Sequence, residues 1–236
     1  MELHLLSDGF FEINMGFLVY GKPDYYQKTY WASLRSLLII TEEHRILCDS
    51  GLGELPEKFL QFFKVKRPEG GLTQSLEEAG LMHRDIDYII QTHLHFDHFS
   101  QDILAFKNAT IIAQAEEIRY AFLPDRFQVN GYSPIKALLG KVSFDPIAGY
   151  KEITNGIGTI PTAGHTPGHQ SVAIQAGEEL IVYTGDAAPL QENLDRRNIP
   201  GVLWSSWQAL ESIDVLREIK AGRYIFSHSN EEEAVI

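Results

Sequence analysis

His93-Leu94-His95-Phe96-Asp97-His98 places four ligand-type side chains within six residues, just after the apolar run Ile86-Asp87-Tyr88-Ile89-Ile90. That run reads as a buried strand, so the imidazoles emerge where the strand ends. In extended chain, side chains at i and i+2 project to the same side, roughly 6.5–7 Å apart. Nitrogens of His93 and His95 can therefore converge on one ion at about 2.0–2.1 Å each. A helix would splay such a pair, which is why the helical zinc pair is spaced i, i+4. Asp97 and His98 follow as the chain turns into a predicted helix from Phe99 to Phe106, and there they can face a second ion. A His-rich surface loop is the bland alternative. Nitrogen and oxygen ligands at this density point instead to metal.

The surrounding chain is ordinary globular material: 236 residues, 44% hydrophobic and 22% charged. That length can bury a large core as one α/β domain over 1–236, and no Pro/Gly/Ser-rich linker divides it. A formal net charge of −12 opposes nucleic-acid phosphates and anionic membranes, so neither is expected as a partner. Bound cations would reverse the sign locally, which leaves an anionic small-molecule substrate open. The single cysteine, Cys48, excludes an internal disulfide and sits in the strand-like run Arg45 to Asp49 as a small core residue. Met1-Glu2-Leu3-His4 lacks a basic start followed by a long apolar stretch, and no run approaches the roughly 20 apolar residues of a membrane span. A cytoplasmic protein is the expectation.

Read in order, residues 1–20 suggest two short strands with Asp8-Gly9 as a hairpin turn. Gly21 to Trp31, rich in aromatics, reads as a loop over a pocket or as satellite core. Leu34 to Thr41 and Arg45 to Asp49 form a predicted hairpin. A polar, glycine-bearing turn, Asp49-Ser50-Gly51-Leu52-Gly53, follows. Residues 54–64 look helical, presenting Phe59, Phe62 and Phe63, and Thr73 is placed to N-cap a helix stopped by Gly80. Thr110 to Ala113 is a strand and Ala115 to Phe122 a helix. Residues 123–149 are irregular, either a lid or an elaboration of the rim. Strands follow at Tyr150 to Thr154, Gly158 to Pro161, Ser171 to Gln175 and Leu180 to Thr184. An amphipathic helix over 205–219 presents Trp207, Leu210, Ile213 and Leu216 to a sheet. Arg223 to Ser227 is a last strand, and Glu231-Glu232-Glu233 a solvated end.

A pattern runs through this order: strand, then ligand-type residue. It occurs at Asp49, at His93 to His98, at His165, at Asp186 and at His228. Pro167-Gly168 forces a tight turn that keeps His165 and His169 near strand ends. Several strand ends aimed at one edge build one site from distant sequence.

Together, His93-x-His95-x-Asp97-His98, Gly164-His165-Thr166-Pro167-Gly168-His169, Thr184-Gly185-Asp186 and Ser227-His228 resemble the metallo-β-lactamase superfamily over nearly the whole chain. The resemblance implies an αβ/βα sandwich, two mixed β-sheets face to face with helices outside. It also implies two divalent metal ions, with His93, His95 and His165 on the first, Asp97, His98 and His228 on the second, and Asp186 bridging. Asp49, Thr92 and His169 become groups that orient those ligands, with structural packing an equal alternative for His169. A hydroxide shared by the ions would attack the substrate, Asp97 would shuttle a proton, and Asp186 would hold the pair together. Zinc suits the mixed N/O set, and iron, manganese or cobalt also satisfy it.

Within the superfamily the chain is most similar to the N-acyl homoserine lactonase group, which implies a binuclear hydrolase of a small lactone or carboxylic ester. Phe96 is a candidate substrate contact, whereas Phe59, Phe62 and Phe63 read first as core. The group's tyrosine, three residues beyond the bridging aspartate, is replaced by Pro189, and Tyr25, Tyr26 and Tyr132 are candidate substitutes. Thioester or phosphoester hydrolysis and a mononuclear iron dioxygenase are the alternatives. A non-catalytic relative would show a lost ligand, and none of the seven positions is lost. Oligomeric state stays open, a homodimer included.

Overall fold

The computed structural model describes residues 1–230 except Pro56, Phe62 and Phe63. Two sheets form its centre. The first is ordered β4-β1-β2-β3-β5-β6-β7, from β1 (Glu2–Asn14), β2 (Thr29–Ile40), β3 (Arg45–Cys48), β4 (Val65–Lys66), β5 (Tyr88–Ile90), β6 (Thr110–Gln114) and β7 (Phe144–Ile147). The second is ordered β12-β11-β10-β9-β8, from β8 (Lys151–Thr154), β9 (Ile157–Pro161), β10 (Gln170–Ala176), β11 (Glu179–Tyr183) and β12 (Arg223–Ile225).

Alternation along the strands explains the layering. Leu37, Ile39, Ile46, Cys48 and Ile90 of the first sheet meet Ile157, Val172, Ile174, Ile181 and Ile225 of the second in one buried cluster. Each aliphatic side chain so removed from water contributes roughly 1.5–3 kcal/mol. The alternate residues Leu34, Leu38, Leu47 and Ile89 face outward against Leu72 and Leu76 of the helix Gly71–Glu78. On the far side, Val182 packs under Ile213 and Leu216 of the helix Ser206–Ile219. The expected αβ/βα sandwich is the architecture observed.

Strand direction then determines where the polar residues gather. β3 and β5 run parallel, as do β11 and β12, while β9 lies antiparallel to β10 and β10 to β11. The C-terminal ends of β3 and β5 thus share one edge of the first sheet, and those of β9, β11 and β12 share one edge of the second. Asp49, His93, His165, Asp186 and His228 follow those ends.

Several local expectations are corrected. Asp8-Gly9 is no hairpin turn: β1 is one continuous strand with a bulge between Ser7 and Gly9. The Asp8 side chain is drawn inward by Leu52, Gly53 and Leu72 backbone N–H groups and by Arg67. Gly9 takes φ +100° against Lys66. Thr73 lies inside its helix, whose N-cap is Gly70, and its hydroxyl meets His83 Nε2 at 3.2 Å. The helix expected over 54–64 is limited to Glu57–Leu60 with Phe59 half-buried, and Phe62 and Phe63 lie outside the described residues, as do Glu231 to Glu233. Phe99 to Phe106 contains only a 3-10 helix, Gln101–Ala105, because Ser100 caps it late. Trp207 is 71% exposed rather than packed on the sheet. No helix among the described residues is long and apolar enough to cross a membrane.

Candidate metal centre

The strand ends bring two ligand groups side by side. His93, His95 and His165 form one; Asp97, His98, Asp186 and His228 form the other; within each, one ligand atom per residue lies within 4.8 Å of the rest. All but Asp97 are buried, and the Asp97 side chain is only 12% exposed.

In the first group, outer nitrogens are committed and inner ones are not. His165 Nδ1 lies 2.8 Å from the Val202 carbonyl, and His95 Nε2 lies 3.1 Å from Gln128 Oε1. Both partners are acceptors, so those nitrogens carry the protons. The remaining lone pairs, His95 Nδ1 and His165 Nε2, then face each other at 2.9 Å. His93 Nε2 is buried without a hydrogen-bond partner. Three buried lone pairs converging on one point fit a cation. Burial, reinforced by the neighbouring imidazoles, holds His93 and His95 well below the ordinary histidine pKa, and burial likewise lowers His165.

Carboxylates change the balance in the second group. His98 Nε2 and His228 Nε2 lie 3.2 and 3.3 Å from Asp186 Oδ1, and His228 Nε2 lies 3.6 Å from Asp97 Oδ2. Burial opposes charge on both imidazoles, yet Asp186 foremost raises them above the ordinary value. Burial would raise Asp186 too, but His228 and His98 hold it well below the carboxylate range. Its other oxygen, Oδ2, lies 3.4 Å from His165 Nε2, so Asp186 faces both groups.

A surrounding layer orients these side chains. Asp49, at φ +64°, accepts from Thr92 N at 2.7 Å and Thr92 Oγ1 at 2.9 Å, and from His98 Nδ1 at 2.8 Å. Thr92 Oγ1 is 3.1 Å from His93 Nδ1, and His228 Nδ1 is 2.8 Å from the Ser33 carbonyl. His169 Nε2 accepts from the Asp186 backbone N–H at 2.9 Å, and burial pushes its pKa down to about 3. Gly185 makes this turn possible: at φ +55°, a Cβ would come within 2.8 Å of His169 Nε2.

A family model described as the metallo-β-lactamase superfamily matches residues 33–228. The chain belongs to that superfamily. Among curated members it is 30% identical to an N-acyl homoserine lactonase of Bacillus cereus over 83% of this chain and 81% of the relative. It is 31% identical to an N-acyl homoserine lactonase of Rhizobium radiobacter over 66% of this chain and 62% of the relative. An N-acyl homoserine lactone hydrolase solved with N-hexanoyl-L-homoserine at its catalytic metal centre superposes with TM-score 0.80 at 26% identity, covering 98% of this chain and 94% of that one. A dizinc quorum-quenching lactonase, at 21% identity, shares the fold with TM-score 0.78 over 98% of this chain and 88% of its own. These relatives are lactonases, not the thioesterases, phosphoesterases or iron dioxygenases considered as alternatives.

In this superfamily member a cavity of about 450 Å³ opens onto the centre. His95, Asp97, His165, Asp186 and His228 line its floor, and Phe11, Phe17, Phe96 and Phe127 its walls. No tyrosine among the described residues lines it. Tyr25 donates to Glu192 and Tyr132 to Glu117, while Tyr26 lies outside the lining, so none of the candidate substitutes stands in for the residue replaced by Pro189. Within 123–149, Phe127, Gln128, Asn130 and Gly131 line the cavity, Gln128 also bonds the His165 carbonyl at 3.1 Å, and Phe144–Ile147 is β7 of the first sheet. The sequence reading missed Gln128 and Glu117. Neither belongs to a spaced motif; Glu117 reads as an ordinary acidic residue in a helix's first turn.

Proposed function

We propose that this chain is a zinc-dependent lactonase that opens the ring ester of N-acyl homoserine lactones, acting as one cytoplasmic domain over 1–236. The observation that carries this reading is Asp186, set between an all-histidine group and a mixed carboxylate–histidine group on the floor of an apolar cavity. His93, His95 and His165 would hold one ion, Asp97, His98 and His228 the other, and Asp186 would touch both. Two divalent ions, when bound, polarise an ester carbonyl and make water a nucleophile near neutral pH.

The chain's own residues supply the rest. Asp49 and Thr92 fix which nitrogen His98 and His93 present, and His169 holds the backbone that carries Asp186. Asp97 takes the proton that water loses and delivers it to the ring oxygen as the C–O bond breaks, yielding an N-acyl homoserine carboxylate. Phe96, with Phe11, Phe17 and Phe127, gives the acyl chain an apolar wall and keeps bulk water from the reacting carbonyl. Without a phenol at position 189, one substrate hydrogen bond is absent. Such a bond is worth about 1 kcal/mol net, so its absence should narrow the preference for lactones over simple aryl esters by about fivefold.

The test is a panel of homoserine lactones, aryl esters, thioesters and phosphodiesters on zinc-loaded protein and on His95→Ala. Lactone and ester turnover that disappears with His95→Ala and with chelation is the expected result. Turnover that survives both, or a preference for phosphodiesters, overturns the reading.

A further inference from the structure

Glu117 is fully buried on the helix Ala115–Phe122, yet no cation pairs with it among the described residues. Four donors surround its carboxylate. Oε1 accepts from Leu94 N at 2.9 Å and from Tyr132 Oη at 2.8 Å; Oε2 accepts from Thr166 Oγ1 at 2.6 Å and from Gly168 N at 3.2 Å. Three of the four donors belong to segments of the centre. Leu94 lies between His93 and His95, Thr166 follows His165, and Gly168 precedes His169. The Tyr132 ring stands edge-on to the His95 ring, with centroids 4.7 Å apart.

The same histidine is gripped from the cavity side. Gln128 accepts from His95 Nε2 and donates to the His165 carbonyl. Gly131 accepts from Phe96 N at 2.9 Å, and a Cβ at Gly131 would come within 2.4 Å of the His95 ring. Gln128 and Gly131 also line the cavity. Among the described residues nothing comparable reaches the second group from this side: His98 and His228 are oriented by Asp49 and the Ser33 carbonyl.

We infer that Glu117 is a positioning residue for the first group, holding the His93–His95 loop, the His165 loop and the cavity wall at 128–132 in one arrangement. Resting on the binuclear reading above, this adds a residue and a consequence: the ion held by three histidines and the wall that faces the acyl chain are mechanically one unit. An ionised carboxylate, which only accepts, satisfies all four donors. Glutamine at 117 would turn an NH2 group towards donors on one side and break the arrangement with no change of volume.

Zinc-loaded wild-type and Glu117→Gln proteins would be titrated with a chromophoric chelator, and their cobalt-substituted forms compared by visible absorption. One equivalent should leave Glu117→Gln about 10–100-fold more readily than wild type, while the other holds. The retained cobalt band should be that of the oxygen-containing group. Tyr132→Phe removes one donor without changing shape, and should move the same equivalent the same way by less. It serves equally if Glu117→Gln fails to fold. Both equivalents weakened alike, or neither weakened, overturns the assignment while leaving the lactonase reading intact. A wild-type protein that binds fewer than two ions overturns both.

Discussion

Asp8 and Asp49 are both fully buried aspartates beside strands of the first sheet, and they do opposite work. Asp8 accepts three backbone N–H groups, from Leu52, Gly53 and Leu72, and ends on the Arg67 guanidinium at 2.6 Å. Arg67 also reaches Asp102 at 3.0 Å, so the Asp8 charge is met by a guanidinium of the scaffold shared with a second carboxylate. Asp49 accepts from Thr92 and Tyr183, but its one titratable cationic partner is His98, whose other nitrogen faces Asp186 and Asp97. A buried carboxylate by itself therefore says little about function. The group that balances its charge decides whether it serves the fold or the metal centre.

Four substitutions would break or sharpen this contrast. The largest effect belongs to the metal side. Asp97→Asn removes both a carboxylate of the second group and the proton shuttle, so kcat should fall by about 10²–10⁴-fold even when excess zinc fills both sites by elemental analysis. Asp8→Asn should cost about 3 kcal/mol of folding free energy in urea titration, because it leaves Arg67 half-paired and backbone donors poorly matched. Activity per folded molecule should not change. Asp49→Asn should do the reverse, weakening zinc affinity about 10–100-fold while urea stability of the zinc-free protein moves little. If Asp8→Asn impaired zinc binding and Asp49→Asn did not, the contrast would be wrong.

The smallest effect is expected at Arg197–Asp214, an exposed pair at 2.6 Å. Hydrogen bonding to Arg197 lowers the Asp214 pKa below its ordinary value. The sign follows: its stabilisation is present above the unfolded-state value and fades as pH falls through the lower folded one. Arg197→Met should therefore change melting temperature barely at pH 7 and not at all at pH 2, as solvent screens such a pair.

The ligand residues were legible because their spacing is chemical. His93 and His95 must alternate on extended chain to meet, and Asp186 and His228 each follow a short run that reads as a strand. The sandwich was legible for the same reason, through the resemblance those spacings carry. Asp8, Glu117 and Gln128 were not. Asp8 precedes a glycine, as turn aspartates do, and Glu117 sits where helix N-termini favour acids. Trp207 misled in the other direction: at 100° per residue it lies on the face opposite Ala209, Ile213 and Leu216, which are buried, and it is left 71% exposed.

The amino-acid sequence by itself determined which seven side chains could gather around metal, since ligand chemistry and strand period are local properties. Only the tertiary structure decided how they are held, because the acceptors that select each imidazole nitrogen come from Asp49, Ser33, Gln128 and Val202, far apart along the chain. It likewise decided that, among the described residues, no tyrosine lines the cavity. A hydrogen bond depends on where two segments meet, and that place follows from packing two sheets face to face rather than from either segment's own pattern.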